Sequence, residues 1–363
     1  QDHTYTGKSF YLVCQSIPFN GLRTCSCVNS SMDSRLLDME NNTSLLVETA
    51  RTILDNMRTV VLGKDMELKL SLMTLLSGGH LLIEDVPGVG KTVLARTLAK
   101  SLGCEFSRIQ FTPDLLPSDV TGVSVFSSST GEFQFKPGPI LSQIVLADEV
   151  NRATPKTQSA LLEAMEEGQV TVDGATHLVG DPHMVIATQN PIEYEGTFPL
   201  PEAQLDRFLI RLHVGYPQET EEIAIMDGQQ YKHPIDDLKA VATGSDIAAM
   251  KNVISQVHVD SLVKQYIVRI VNRTREHPDI YLGSSPRGSI GLMRLAQASA
   301  FLAGRAYVDP DDVRELAPAV LSHRLIMHPS VRPADSDSMQ VTSDILQEIP
   351  VPGMNSRLGP SGN

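Results

Sequence analysis

At 363 residues the chain is long enough to bury two sizeable cores, and 41% apolar with 20% charged residues is a globular balance that excludes a fibrous or wholly disordered protein. No run approaches the roughly 18 apolar residues a bilayer-crossing helix needs, so no membrane span is expected. The net charge of −13 makes nucleic acid an unfavoured main partner, since phosphate backbones are held by clustered Lys and Arg. Cys14, Cys25, Cys27 and Cys104 show neither Cys-x-x-Cys spacing nor a Cys/His ligand set, and read as reduced thiols of a cytoplasmic protein.

Residues 1–38 hold Cys14, Cys25 and Cys27, much Ser and Asn, and no sustained period of 2 or 3.6. They are expected to form a disordered or non-core extension, or to lie upstream of a start at Met32 or Met39. Amphipathic helices are expected over 45–57 and 64–76. Short apolar runs at 81–84, 105–110, 144–147, 183–188 and 208–213 have the character of parallel strands buried on both faces. With helices over 91–102 and 157–166 between them, they predict an α/β fold: a three-layer sandwich around a parallel five-stranded sheet with right-handed crossovers. Two hairpins interrupt it. Val123-Ser124-Val125-Phe126 and Glu132-Phe133-Gln134-Phe135 alternate within 110–139, and 169–179 alternates about the type I′ turn signal Asp173-Gly174. After 215 strands are expected to stop, and helices over 219–230, 246–257, 261–276, 286–303 and 310–323 predict a small all-α domain. Asp309, Pro310 and Asp312 supply a helix start for the last of these, and Gly304 a stop for the one before it. The expected plan is a 1–38 extension, a 39–215 α/β domain, a 216–330 helical domain and a 331–363 C-terminal segment and tail.

The chemistry begins at Pro87-Gly88-Val89-Gly90-Lys91-Thr92-Val93, directly after the run at 81–84. Glycines without a Cβ let a loop wrap a phosphate and aim successive N–H groups at it from a helix N-terminus. Lys91 then reaches the β/γ-phosphates and the Thr92 hydroxyl holds Mg²⁺, so ATP or GTP is the expected ligand. The G-x-x-x-x-G-K-[ST] pattern wants glycine where this chain has Asp85. About sixty residues on, a buried strand ends in Asp148-Glu149. In phosphate-loop enzymes the first acid, here Asp148, holds the metal through water, and the second, Glu149, polarises the attacking water.

The stretches 79–88, 146–167, 187–193 and 200–208 resemble the MoxR branch of the AAA+ ATPases over nearly the whole ordered length. The longest reads Leu-Ala-Asp-Glu-Val-Asn-Arg-Ala-Thr-Pro-Lys-Thr-Gln-Ser-Ala-Leu-Leu-Glu-Ala-Met-Glu-Glu. The resemblance implies further roles. Asn190 matches the sensor that positions the attacking water, Arg207 the finger given to a neighbouring subunit, and Arg287 a second sensor from the helical lid. Arg287 opens a helix, where a cation opposes the macrodipole, so an anionic partner is expected. Val60, Val61 and Gly63 match the segment that holds adenine. The family also implies a ring, most often a hexamer, that remodels or matures client proteins, often beside a protein carrying a von Willebrand A domain. A ring acting on nucleic acid and a nucleotide-gated scaffold with little turnover are the alternatives.

Overall fold

The computed structural model describes residues 30–191, 196–328 and 334–352, with side chains from 42 in the first segment and from 338 in the last. The chain separates into two units, 1–42 and 43–363. The described part of the first, 30–42, is helical and belongs to α1 (Ser30–Arg58). The extension expected over 1–38 otherwise lies outside the described residues, as do Cys14, Cys25, Cys27 and the tail beyond 352.

The second unit opens with the rest of α1, then α2 (Asp65–Leu76), β1 (Leu81–Glu84), α3 (Lys91–Ser101), β2 (Phe106–Gln110) and α4 (Pro117–Thr121). A hairpin of β3 (Gly122–Ser127) and β4 (Glu132–Pro137) precedes β5 (Ile144–Asp148) and α5 (Pro155–Glu167). A second hairpin, β6 (Gln169–Val172) with β7 (Ala175–Leu178), leads to β8 (Met184–Gln189), α6 (Glu202–Leu205) and β9 (Ile210–Leu212). The C-terminal part holds α7 (Glu219–Gln229), α8 (Gly244–Gln256), α9 (Ser261–Glu276), β10 (Ile280–Leu282), α10 (Pro286–Leu302), α11 (Pro310–Leu321), β11 (Ile326–Met327) and α12 (Ala334–Glu348).

The expected five-stranded parallel sheet is present, in the order β2-β5-β8-β1-β9. Its inner strands β5, β8 and β1 are buried over all but their last residue because neighbouring side chains serve opposite faces, whereas the edge strand β2 buries only Ile109. Leu81, Ile83, Leu146 and Ile186 join a core with α1, α2 and the C-terminal helices, including Leu292, Phe301 and Val313. Leu82, Val145, Ala147 and Val185 point the other way, into a core with Val120, Leu161 and Leu162. All strands being parallel, their C-terminal ends meet along one edge, where open α/β sheets place ligands.

Both expected hairpins form, antiparallel and in register. Asp173 (φ 51°) and Gly174 (φ 80°) both take the positive φ that a type I′ turn demands. Phe135 of one hairpin stacks on His177 of the other, with centroids 3.7 Å apart. The expectation that strands stop after 215 needs correction: β10 and β11 pair antiparallel, joining Ile280 to Met327 and Leu282 to Ile326. Runs of three and two residues are too short to show a period, and the pairing is made across a separation that periodicity cannot see. Helix α12 packs on α9 and α11, burying Val341, Ile345 and Leu346. Among the described residues no helix is long and apolar enough to cross a membrane.

Candidate active site

The loop between β1 and α3 is shaped by backbone conformation. Gly88 (φ 88°) and Gly90 (φ 90°, the N-cap of α3) are left-handed, where a Cβ is strained even though open space surrounds both. Asp85 does not take a positive φ, so glycine is not required there. Its carboxylate accepts the N–H of Val86 at 2.8 Å and of Gly215 at 2.6 Å. Lys91 Nζ donates to the Asp85 carbonyl at 2.6 Å. Burial pushes the Lys91 ammonium below the usual lysine range, with Asp85, Asp148 and Glu149 acting the other way.

Register brings the acids to this loop. Strand β5 lies between β2 and β8, pairing Asp148 with Gln110 and Ala147 with Ala187. Asp148 accepts Thr188 Oγ1 at 2.6 Å on one oxygen and Arg108 Nη2 at 2.6 Å on the other. Glu149 is itself left-handed (φ 57°, ψ 49°), an arrangement that costs of order 1–3 kcal/mol in a residue with a Cβ. Its N–H donates to Thr188 Oγ1 at 2.9 Å, and its carboxylate accepts Gln110 Nε2 at 2.9 Å and lies 3.3 Å from Arg152 Nε. Asn190, buried just past β8, completes a cavity of about 330 Å³ with Pro87, Gly88, Gly90, Lys91, Thr92, Val93, Asp148 and Glu149.

A second cavity, of about 400 Å³, shares Gly88, Gly90 and Val93 with the first. Val60, Val61, Val89, Leu94 and Val214 line it from the α/β side, and Ala224, Ile225 and Gly228 of α7 from the helical side. Its apolar walls suit a planar base beside a phosphate site. Gly63 is not among the lining residues. It takes φ 68°, and a Cβ there would collide with the Glu221 carboxylate of α7, so its part is to let the chain turn where a side chain would not fit.

Arg207 and Arg287 lie elsewhere. They line a cavity of about 330 Å³ with Gly79, His80, Met165, Glu166, Asp206, Leu209, Arg294 and Arg324, and it shares no lining residue with the phosphate cavity. Arg207 Nη1 donates to the Leu162 carbonyl at 2.7 Å, and Nη2 lies 3.0 Å from Glu166 Oε2. Arg287 Nη2 pairs with Glu166 Oε1. Asp206 pairs instead with the buried Arg324 at 2.8 Å and accepts Ser285 Oγ at 2.9 Å, which fixes the start of α10.

Sequence reasoning missed Arg108, Gln110, Thr188 and Glu166. Arg108 and Gln110 carry no motif spacing and Thr188 stood without a role inside the 187–193 string; all three meet the acids through strand register. Glu166 stood inside a matched string, but its partners come from residues 41 and 121 positions on.

These geometries define a nucleotide-binding α/β domain with a helical lid. The family model for the ATPase family associated with various cellular activities (AAA) matches residues 80–210, and that for the AAA lid domain matches residues 272–349. The uncharacterised protein YeaC of Bacillus subtilis is 53% identical over 83% of this chain and 94% of its own length. Chaperone MoxR1 of Mycobacterium tuberculosis is 38% identical over 85% of this chain and 84% of its own. A crystal structure of a candidate ATPase from Cytophaga hutchinsonii superposes with a TM-score of 0.82 at 37% identity, covering 87% of this chain and 99% of that one. The chain belongs to the MoxR family of AAA+ ATPases.

Proposed function

We propose that the protein is a Mg²⁺-dependent ATPase of the cytoplasm that works as a ring of six copies and uses hydrolysis to remodel or mature client proteins, with a von Willebrand A domain protein as one class of partner. The observation that carries the ring reading is the separation of the two cavities. Lys91 and Glu149 line one and Arg207 and Arg287 the other, so the arginines are free to serve an adjacent copy.

Within one copy the N–H groups of the 87–92 loop would cradle the triphosphate and Lys91 would face its β/γ oxygens. The base would lie in the apolar cavity under α7. Thr92 and Asp148 offer the hard oxygen donors that Mg²⁺ prefers. The metal, when bound, neutralises charge on the phosphate oxygens. Glu149 would take the proton from the attacking water, and Asn190 would orient that water. Arg207 and Arg287 of the neighbour would balance the charge that develops on the γ-phosphate. The chaperone role is supported by the name of MoxR1, not by any residue of the site.

Nucleotide titration and phosphate release on two variants test the assignment. Lys91→Ala should lose ATP binding, whereas Glu149→Gln should bind ATP and not turn it over. Normal turnover by Glu149→Gln would overturn the assignment of the base.

A further inference from the structure

Two features of the arginine cavity oppose local helix preference. Glu166 lies in the last turn of α5, where an anion meets the negative end of the macrodipole, and Arg287 lies in the first turn of α10, where a cation meets the positive end. Each placement is unfavourable alone. Together they form an ion pair, and the same carboxylate also holds Arg207 on its other oxygen. One anion thus bridges two cations that come from different parts of the chain, Arg207 from the turn before β9 and Arg287 from the lid. Leu162, one turn back on α5, fixes the second edge of Arg207 through its carbonyl.

Fold stability does not account for the arrangement. The side chains of Arg287, Glu166 and Arg207 are 49%, 36% and 29% exposed, and ion pairs so open to water add little to stability. What the bridge does supply is geometry. Without it two like charges on separate elements repel and take independent rotamers. With it they form one fork whose spacing is set by α5.

Resting on the reading of Arg207 and Arg287 as residues that act on a neighbour, we infer that Glu166 is a positioning residue, which holds the two guanidinium groups as a single unit and so ties the seating of the lid to the finger. It lines neither the phosphate cavity nor the apolar cavity beside it, and it acts through the arginines.

The test is steady-state kinetics and ATP binding on Glu166→Ala, on the isosteric Glu166→Gln, on Arg207→Ala and on the double variant. Glu166→Ala should lower kcat about tenfold or more while leaving ATP affinity within about twofold, because the phosphate loop is untouched. Glu166→Gln keeps the volume without the charge, and should fall between Glu166→Ala and the parent. The losses in the double variant should fall short of the product of the single losses, since with Arg207 gone Glu166 has only Arg287 left to position. Wild-type kcat in both single Glu166 variants overturns the proposal. So does a double variant whose losses multiply, which would mark an independent structural role. Full turnover by Arg207→Ala would instead overturn the underlying reading of the finger. A dead Arg207→Ala beside a normal Glu166→Gln would sink the positioning role alone.

Discussion

Asp85 accepts the Gly215 N–H at 2.6 Å, tying the first residue of the phosphate loop to the point where the chain leaves the sheet for the helical part. The residue that departs from the glycine of the motif is therefore a strut. Asp85→Gly, although it restores the motif, should destabilise the protein by about 2 kcal/mol, because it leaves two N–H groups unpartnered and adds backbone freedom. Urea unfolding midpoints measure this, and an unchanged or higher midpoint in the glycine variant would refute the strut.

Glu149 holds a left-handed backbone, so glycine and alanine should rank there in the reverse of their usual order. Both substitutions remove the same side-chain contacts and differ in the strained Cβ. Glu149→Gly should be more stable than Glu149→Ala by about 1 kcal/mol, with turnover lost in both. Equal or greater stability of the alanine variant by chemical denaturation would show that the strain is not there.

His80 accepts the Val185 N–H on Nδ1 at 3.1 Å and faces the Met165 carbonyl with Nε2 at 3.0 Å, which requires the neutral ring with its proton on Nε2. Burial, with His183 nearby, lowers its pKa from 6.5 to about 4. The unfolded chain then takes up a proton that the folded chain refuses, so stability present above pH 6.5 is lost as the pH falls towards 4, by about 3 kcal/mol from this residue. His183 and His323 are shifted in the same direction by burial. His80→Gln should therefore flatten the slope without abolishing it. An identical pH dependence of unfolding in parent and variant would exclude His80 as a contributor.

The proposed ring, with its sites shared between neighbours, makes a mixing prediction. Lys91→Ala rings keep their arginines but lack a competent loop, and Arg207→Ala rings have competent loops facing missing fingers. Each should be nearly inactive, since a finger is typically worth ~10³-fold or more in rate. Mixed rings would join a sound loop to a sound finger, and phosphate release should reappear. If tagged co-purification proves mixed assembly and release stays at the level of either parent variant, Arg207 does not act in trans.

Much of the fold was legible because its strands are local apolar runs and its loop residues follow one another in the chain. Asp148 and Glu149 could be read beside Lys91, for each ends or follows a strand of the same sheet. Arg108 and Gln110 could not, because which side chains meet an acid depends on register between strands some forty residues apart. The pairing of β10 with β11 was hidden by its brevity. The anionic partner expected for Arg287 from the helix macrodipole is met by Glu166, whose identity needed the docking of α10 against α5.

Core continuity between one face of the sheet and the C-terminal helices has a further consequence. Leu81 and Ile83 share one apolar cluster with Leu292, Phe301 and Val313, so the two halves of the chain solvate each other's interior. Cutting the polypeptide near 215 would bare that surface on both fragments, and neither should persist alone without aggregating. The intact protein should melt in one calorimetric transition, with protease resistance lost at the same temperature in the sheet and in the lid.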